Sequence, residues 1–180
     1  MNTENTPKHY DTISRFLHWG MAFLFLIQIL SSMAHYLLED SAIEAFLWST
    51  HKPVGFSLMI LIIFRIIWAI KNKRNRPPSV STAAKVGHYA LYSLMVTVPF
   101  IALLRQYGWG GKFEPFGIPV FSGFEGDKIE WMTNAGNLHG ELGWALMALI
   151  LGHIIMVIIH RTSKADVDVL PRMIPSKKTK

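Results

Sequence analysis

Four stretches of this sequence are long, apolar and nearly free of charge: Phe16 to Leu38, Pro53 to Ile70 interrupted only by Arg65, Val86 to Leu104, and Leu142 to His160. About 20 apolar residues of helix, rising ~1.5 Å each, cross a hydrocarbon core. In lipid every backbone polar group must be bonded within the chain, so such stretches form helices. The expected fold class is all-α, an integral membrane four-helix bundle in a single domain, with helices at about 15–37, 51–70, 84–105 and 136–160. The first stretch exceeds the roughly 7–15 residues of a signal-peptide core, and no small-residue cleavage site follows it, so a retained helix is expected.

The formal net charge of +6 would suit nucleic acid, but the charges follow membrane topology instead. Lys71, Lys73, Arg74, Arg76 and Lys85 fall between the second and third helices with no acid among them. Arg161, Lys164, Arg172, Lys177, Lys178 and Lys180 follow the fourth. The other two connections are acidic or mixed: Glu39, Asp40 and Glu44 in one, and Lys112 and Lys128 against Glu114, Glu125, Asp127 and Glu130 in the other. The positive-inside rule then puts both termini in the cytoplasm, with lipid and not nucleic acid around the chain. Thr50 and Pro53 are expected to open the second helix, and Pro77-Pro78 to end any continuation of it. The Gly- and Pro-rich run from Gly108 to Gly126 is expected to break the long outer loop into turns with no further helix. The six tryptophans fall mostly near helix ends, as membrane anchors do.

Ionisable side chains inside apolar segments are costly and usually functional, which directs attention to the histidines. His139 and His153 are fourteen residues apart on the fourth helix. At 100° per residue they share a face within about 40°, roughly 21 Å apart along the axis. Chain direction pairs His51 with His139 at the outer level and His18 with His153 at the inner level. Two imidazoles on facing helices can clamp a haem iron between them. The alternative for each histidine is a polar group bonded across helices. Gly20, Gly55, Gly143 and Gly152 near these histidines either admit a flat ring or serve ordinary helix contacts.

His88 competes with His18 for the inner pair, or meets a haem propionate or a quinone oxygen. Arg65 and Arg15 have two readings each, pairing with a propionate or snorkelling to the cytoplasmic interface. His160 is read as interfacial or quinone-side, or as plainly solvated, and His9 and His35 as peripheral. Cysteine is absent, which excludes disulfides, thiolate metal sites, iron–sulfur clusters and covalent c-type haem. A carboxylate di-iron site is disfavoured because Glu141 is the only acid near a helix core. A transporter or a zinc-binding membrane protein is the reading from a different class.

Ser14-Arg15-Phe16-Leu17-His18-Trp19, His51-Lys52-Pro53-Val54-Gly55, Gly87-His88-Tyr89-Ala90-Leu91-Tyr92, and His139-Gly140-Glu141 followed by His153 and Leu170-Pro171-Arg172-Met173 carry a resemblance. From about Tyr10 to Ile174 the chain resembles the bacterial cytochrome b561 family, related to the cytochrome b subunits of hydrogenases and formate dehydrogenases. The resemblance implies two b haems, ligated by the matching histidines of the first, second and fourth helices. It further implies one of two activities. Some members are superoxide oxidases, taking electrons from superoxide outside the membrane and reducing ubiquinone. Others are cytochrome subunits fed by a partner redox enzyme. The shortness of the chain, like that of the free-standing members, favours the first as the expectation.

Overall fold

The computed structural model describes residues 7–163 and 167–174. Lys164, Lys177, Lys178 and Lys180 of the basic tail lie outside the described residues. Helix α1 spans Thr12–Leu37, α2 Ala42–Lys71, α3 Thr82–Gly108, α4 Glu130–Gly136 and α5 Leu138–Thr162. α1, α2, α3 and the combined run of α4 and α5 are each long and apolar enough to cross a membrane. Among the described residues the only strand-like feature is an isolated antiparallel bridge between Phe113 and Phe121 in the long loop.

Short polar side chains set the helix starts. Asp11, Ser41 and Ser81 accept from the backbone N–H of Ser14, Glu44 and Ala84, each satisfying a donor the first turn leaves open. Ser41 corrects the expected start of the second helix near Thr50. The hydroxyls of Ser49 and Thr50 bond back to the carbonyls of Phe46 and Leu47, as they do inside a helix. Pro53 then sits within α2 and costs it one backbone bond.

The long outer loop also departs from expectation, because it ends in the short helix α4. The Gly/Pro breakers stop at Gly126, and Asn137 keeps right-handed helical angles that lead α4 into α5. α4 packs on α3 at close range. A methyl at Gly108 would stand 2.7 Å from Cβ of Met132, and one at Gly136 would overlap the Arg105 side chain.

α1 lies along α2, α2 along α3, and α3 along α4 and α5. Met21, Leu58 and Ile62 form one buried cluster, and Leu91, Val98 and Leu146 another, with Phe25 and Met95 bridging both. Phe16, Phe23, Phe64 and Leu151 point outward and are exposed. In water that surface would aggregate, whereas against lipid tails it carries no penalty.

The first and last described segments meet at one end of the bundle. The Asp11 carboxylate accepts from Nε1 of Trp68 at 3.1 Å and Nδ2 of Asn72 at 2.7 Å, tying α1 to the end of α2. The Tyr10 N–H donates to the Arg172 carbonyl at 3.0 Å, and Arg172 donates to the Pro78 carbonyl at 2.8 Å. This is called the terminal end below. The opposite end, which carries the connection from α3 to α4, is the loop end.

Candidate functional site

The fourteen-residue step on α5 sets two levels, and a histidine from another helix faces each. At the loop end the rings of His51 (α2) and His139 (α5) have centroids 6.1 Å apart. Toward the terminal end His18 (α1) and His153 (α5) are 6.3 Å apart. Two imidazoles bound trans to one metal, each through a bond of about 2.0–2.1 Å, stand with ring centres ~6.3 Å apart. Both spacings leave room for a group held between the rings; His51 with His139 and His18 with His153 are the residues that would hold a haem, which would supply one-electron chemistry there.

Hydrogen-bond partners assign the ring proton for His51, His139, His18 and His88. Ser31, fully buried, donates its hydroxyl to the Gln28 carbonyl at 2.8 Å and so accepts from Nδ1 of His51 at 2.9 Å. The lone pair of His51 is then on Nε2, where the Gln28 amide donates to it at 2.9 Å. His139 donates from Nδ1 to the Val98 carbonyl at 2.9 Å, leaving its Nε2 lone pair available. Such partners on the far nitrogen orient metal-binding imidazoles.

His18 is set the other way. Arg65 reaches its Nδ1 at 3.0 Å, and a guanidinium only donates, so that nitrogen accepts and the ring proton is on Nε2. Arg65 also donates from Nε to the Tyr92 hydroxyl at 3.1 Å. His88 donates from Nδ1 to the Ala84 carbonyl at 2.6 Å, and its ring lies 5.6 Å from His153. Three histidines thus converge on the terminal-end level, two of them facing His153.

A cavity of about 580 Å³ opens beside the loop-end pair, lined by Gln28, His51, Gly55, His139 and Gly143 among others. That volume is ordinary for a cofactor pocket. A methyl added at Gly20, Gly143 or Gly152 would meet nothing within 4 Å, so these glycines leave open space and make no tight helix contact. At Gly55 the only close atoms belong to the Gln28 amide, whose Oε1 is buried without a hydrogen-bond partner. A buried amide oxygen without a partner, beside paired imidazoles and glycines that leave room, fits a site shaped for a flat group. Lys52 and Arg105 line the same cavity, and no acid does.

Other expected residues are placed elsewhere. Arg15 does not join the histidines, for its guanidinium donates to the Ile174 carbonyl at 3.2 Å and the Thr12 hydroxyl at 3.3 Å. His9 bonds the Pro171 carbonyl, and His160 is in the last turn of α5. His35 is exposed at the cavity rim, where it stacks on Trp48 at 3.8 Å and bonds Glu44 at 2.8 Å. Trp48 continues toward His51, 4.6 Å away, so this indole belongs to the site and is more than a membrane anchor. Gln28 and Ser31 were not singled out from the sequence, and Tyr92 stood there only as part of a motif. Gln28 and Ser31 carry a signal that could have found them, as polar residues three apart in an otherwise apolar span.

The sequence profile of a family described as prokaryotic cytochrome b561 matches residues 9–176. The chain is 26% identical to "Cytochrome b561 homolog 2" of Escherichia coli K12, over 97% of this chain and 95% of that protein. It is 23% identical to "Probable superoxide oxidase CybB" of Yersinia pestis, over 95% of this chain and 98% of that one.

Proposed function

Because the chain belongs to the prokaryotic cytochrome b561 family, whose members are membrane electron-transfer proteins that bind haem b, we propose that it is a superoxide:ubiquinone oxidoreductase with two b haems. His51 and His139 hold one at the loop end, and His18 and His153 the other toward the terminal end. The terminal end faces the cytoplasm, in keeping with the basic loop from Lys71 to Lys85. The observation that carries this reading is the presence of two histidine pairs, 6.1 and 6.3 Å between ring centres, at two depths of one bundle.

The haems supply one-electron carriers between the two faces. Two superoxide anions each give up one electron and leave as dioxygen, and one ubiquinone takes two electrons and two protons to become the quinol. The chain's own residues shape the ends of this route. Lys52 and Arg105 supply positive potential at the cavity where a small anion arrives. Ser31 and Val98 fix the imidazoles of His51 and His139, and Arg65 places a cation beside His18. The name carried by the Yersinia pestis relative supports the superoxide reading.

A second reading of the inner ligand rests on His88, whose ring is closer to His153 than that of His18 and whose Nδ1–H bond to the Ala84 carbonyl leaves the lone pair on Nε2. Reduced-minus-oxidised spectra with haem-to-protein ratios test the proposal. A b-type spectrum with two haems per chain, reduced by superoxide and reoxidised by ubiquinone, is expected. A colourless protein from haem-replete cells overturns the whole reading. A two-haem protein that only a partner enzyme reduces overturns the superoxide assignment and makes the chain a relay subunit.

A further inference from the structure

The connection from α3 to α4 contains ten residues, Pro115 to Phe124, without a charge, flanked by Glu114 and Glu125. Phe116, Ile118 and Val120 in this run are 69%, 65% and 41% exposed. Phe116 stands at φ 57, in the left-handed region a bulky residue avoids. A water-facing loop has no reason to hold three large apolar side chains outward at the expense of backbone strain.

The depth of the loop supplies the reason. Counting about 20 residues of helix, or ~30 Å, from Lys71 up α2 brings the far edge of the hydrocarbon to His51 and Lys52. Lys52 donates to the Gln106 side chain at 3.0 Å, so the end of α3 shares that level. The loop then turns back. The Phe113 ring packs 5.5 Å from Phe56, a turn of α2 deeper than Lys52, and Phe121 stacks on Phe113 at 5.4 Å. The 3-10 turn at Pro115–Gly117 lies against α2 as well. Lys112 pairs with Glu114 at 2.7 Å, which neutralises the flank of the run.

We infer that the segment from Pro115 to Phe124 is an interfacial anchor, inserted into the bilayer leaflet at the loop end with Phe116, Ile118 and Val120 among the acyl chains. Apolar side chains at the boundary of headgroups and acyl chains gain the burial that water denies them. The anchor also fixes the cavity rim, because Gln106 bonds both Lys52 and the Lys112 carbonyl at the root of the loop.

The chain has no cysteine, so single substitutions report one site each. Phe116→Cys, Ile118→Cys and Glu125→Cys are labelled with an environment-sensitive NBD probe, after their haem content is matched to wild type. The proteins are then placed in phosphatidylcholine–phosphatidylglycerol nanodiscs. Probes at 116 and 118 are expected to emit to the blue of the probe at 125, to be quenched by shallow doxyl-labelled lipid and to resist aqueous iodide. Equal emission at all three sites with iodide quenching at 116 and 118 overturns the inference. So does shielding from iodide in native membranes that is lost in nanodiscs, which would mean that a protein covers the loop.

Discussion

Nη1 of Arg65 lies 3.0 Å from Nδ1 of His18, and the direction of that bond leaves the imidazole proton on Nε2. A metal taken by Nε2 requires the lone pair there, so Arg65 must release Nδ1 when His18 becomes a ligand. Its Nη1 would then be released at that depth, with Nε still held by Tyr92, and could pair with a carboxylate of the bound group. A cation beside a haem favours its reduced form. Arg65→Met is expected to lower the midpoint of the terminal-end haem by on the order of 50–100 mV, the equivalent of one charge at about 8 Å in a medium of effective dielectric near 20. Arg65→Lys should lower it less. Potentiometric titration resolves the two haems, and an equal shift of both would show that Arg65 acts on the fold and not on its neighbour.

The ligand assignments separate by level. His51→Ala or His139→Ala should remove the loop-end haem and keep the other, while His153→Ala does the reverse. His18→Ala is expected to take the haem-to-protein ratio from two to one, with His88→Ala keeping two. Loss of a haem in His88→Ala, together with retention in His18→Ala, transfers the inner position to His88, whose ring is already 5.6 Å from His153.

The four spans and the two-level spacing of His139 and His153 were legible because hydropathy and helical period are local properties of the chain. The start of α2 was not. Pro53 reads as a helix opening, yet the capping hydroxyl is Ser41, and a membrane helix packed along α1 and α3 tolerates a proline because its surroundings satisfy the freed backbone groups. The same shift hid the contacts of His35, since its bond to Glu44 and its stack on Trp48 exist only once α2 is extended back to Ala42. Arg15 shows the opposite limit. Its place in the sequence near His18 suggested the site, but the segment Leu170–Arg172 folds back so that the Ile174 carbonyl claims it. Contacts across some 150 residues leave no trace in local pattern.

Asp11 gives the fold a pH dependence of known sign. Burial works to raise its pKa, but hydrogen bonds from Ser14, Trp68 and Asn72 outweigh it and hold the carboxyl below its ordinary value of 3.8. A depressed folded-state pKa means that the contribution is complete above the unfolded value and is lost as pH falls through the folded one. Asp11→Ala, which removes the cap, should destabilise by about 1–2 kcal/mol at neutral pH. The gap between the two proteins' thermal midpoints should narrow below about pH 4. A gap that stays constant down to pH 3 would mean that the carboxylate charge contributes nothing.

Gly143 separates room for a cofactor from ordinary packing. A methyl there meets nothing within 4 Å, and the position lies mid-helix in α5. Gly143→Leu should therefore leave the haem-free fold unchanged or stabilise it by up to ~1 kcal/mol, since glycine is a poor helix residue. The same side chain projects into the loop-end cavity and should reduce haem content there. Parallel loss of apoprotein stability and haem would place a helix contact at Gly143 instead.

The last prediction concerns how superoxide reaches the loop end. The long loop carries more acids than bases, Glu114, Glu125, Asp127 and Glu130 against Lys112 and Lys128, so its overall charge would repel an anion. The fold sorts these charges. Lys112 is tied to Glu114, and Lys128 sits over the Trp109 ring at 5.3 Å. Lys52 and Arg105 are the cations that line the cavity beside His51 and His139, with no carboxylate among its lining residues. A local positive potential in a low-dielectric cleft raises association rates by about 10–10³-fold. Reduction by superoxide should slow as ionic strength rises from ~10 to 150 mM, over which the screening length shortens from about 30 to 8 Å. Lys52→Gln and Arg105→Gln should each slow it several-fold and flatten that salt dependence, with haem content unchanged. Lys112→Gln and Lys128→Gln should alter neither. Stopped-flow reduction at graded salt makes the comparison. Equal effects from all four substitutions would assign the steering to net charge and not to the cavity rim.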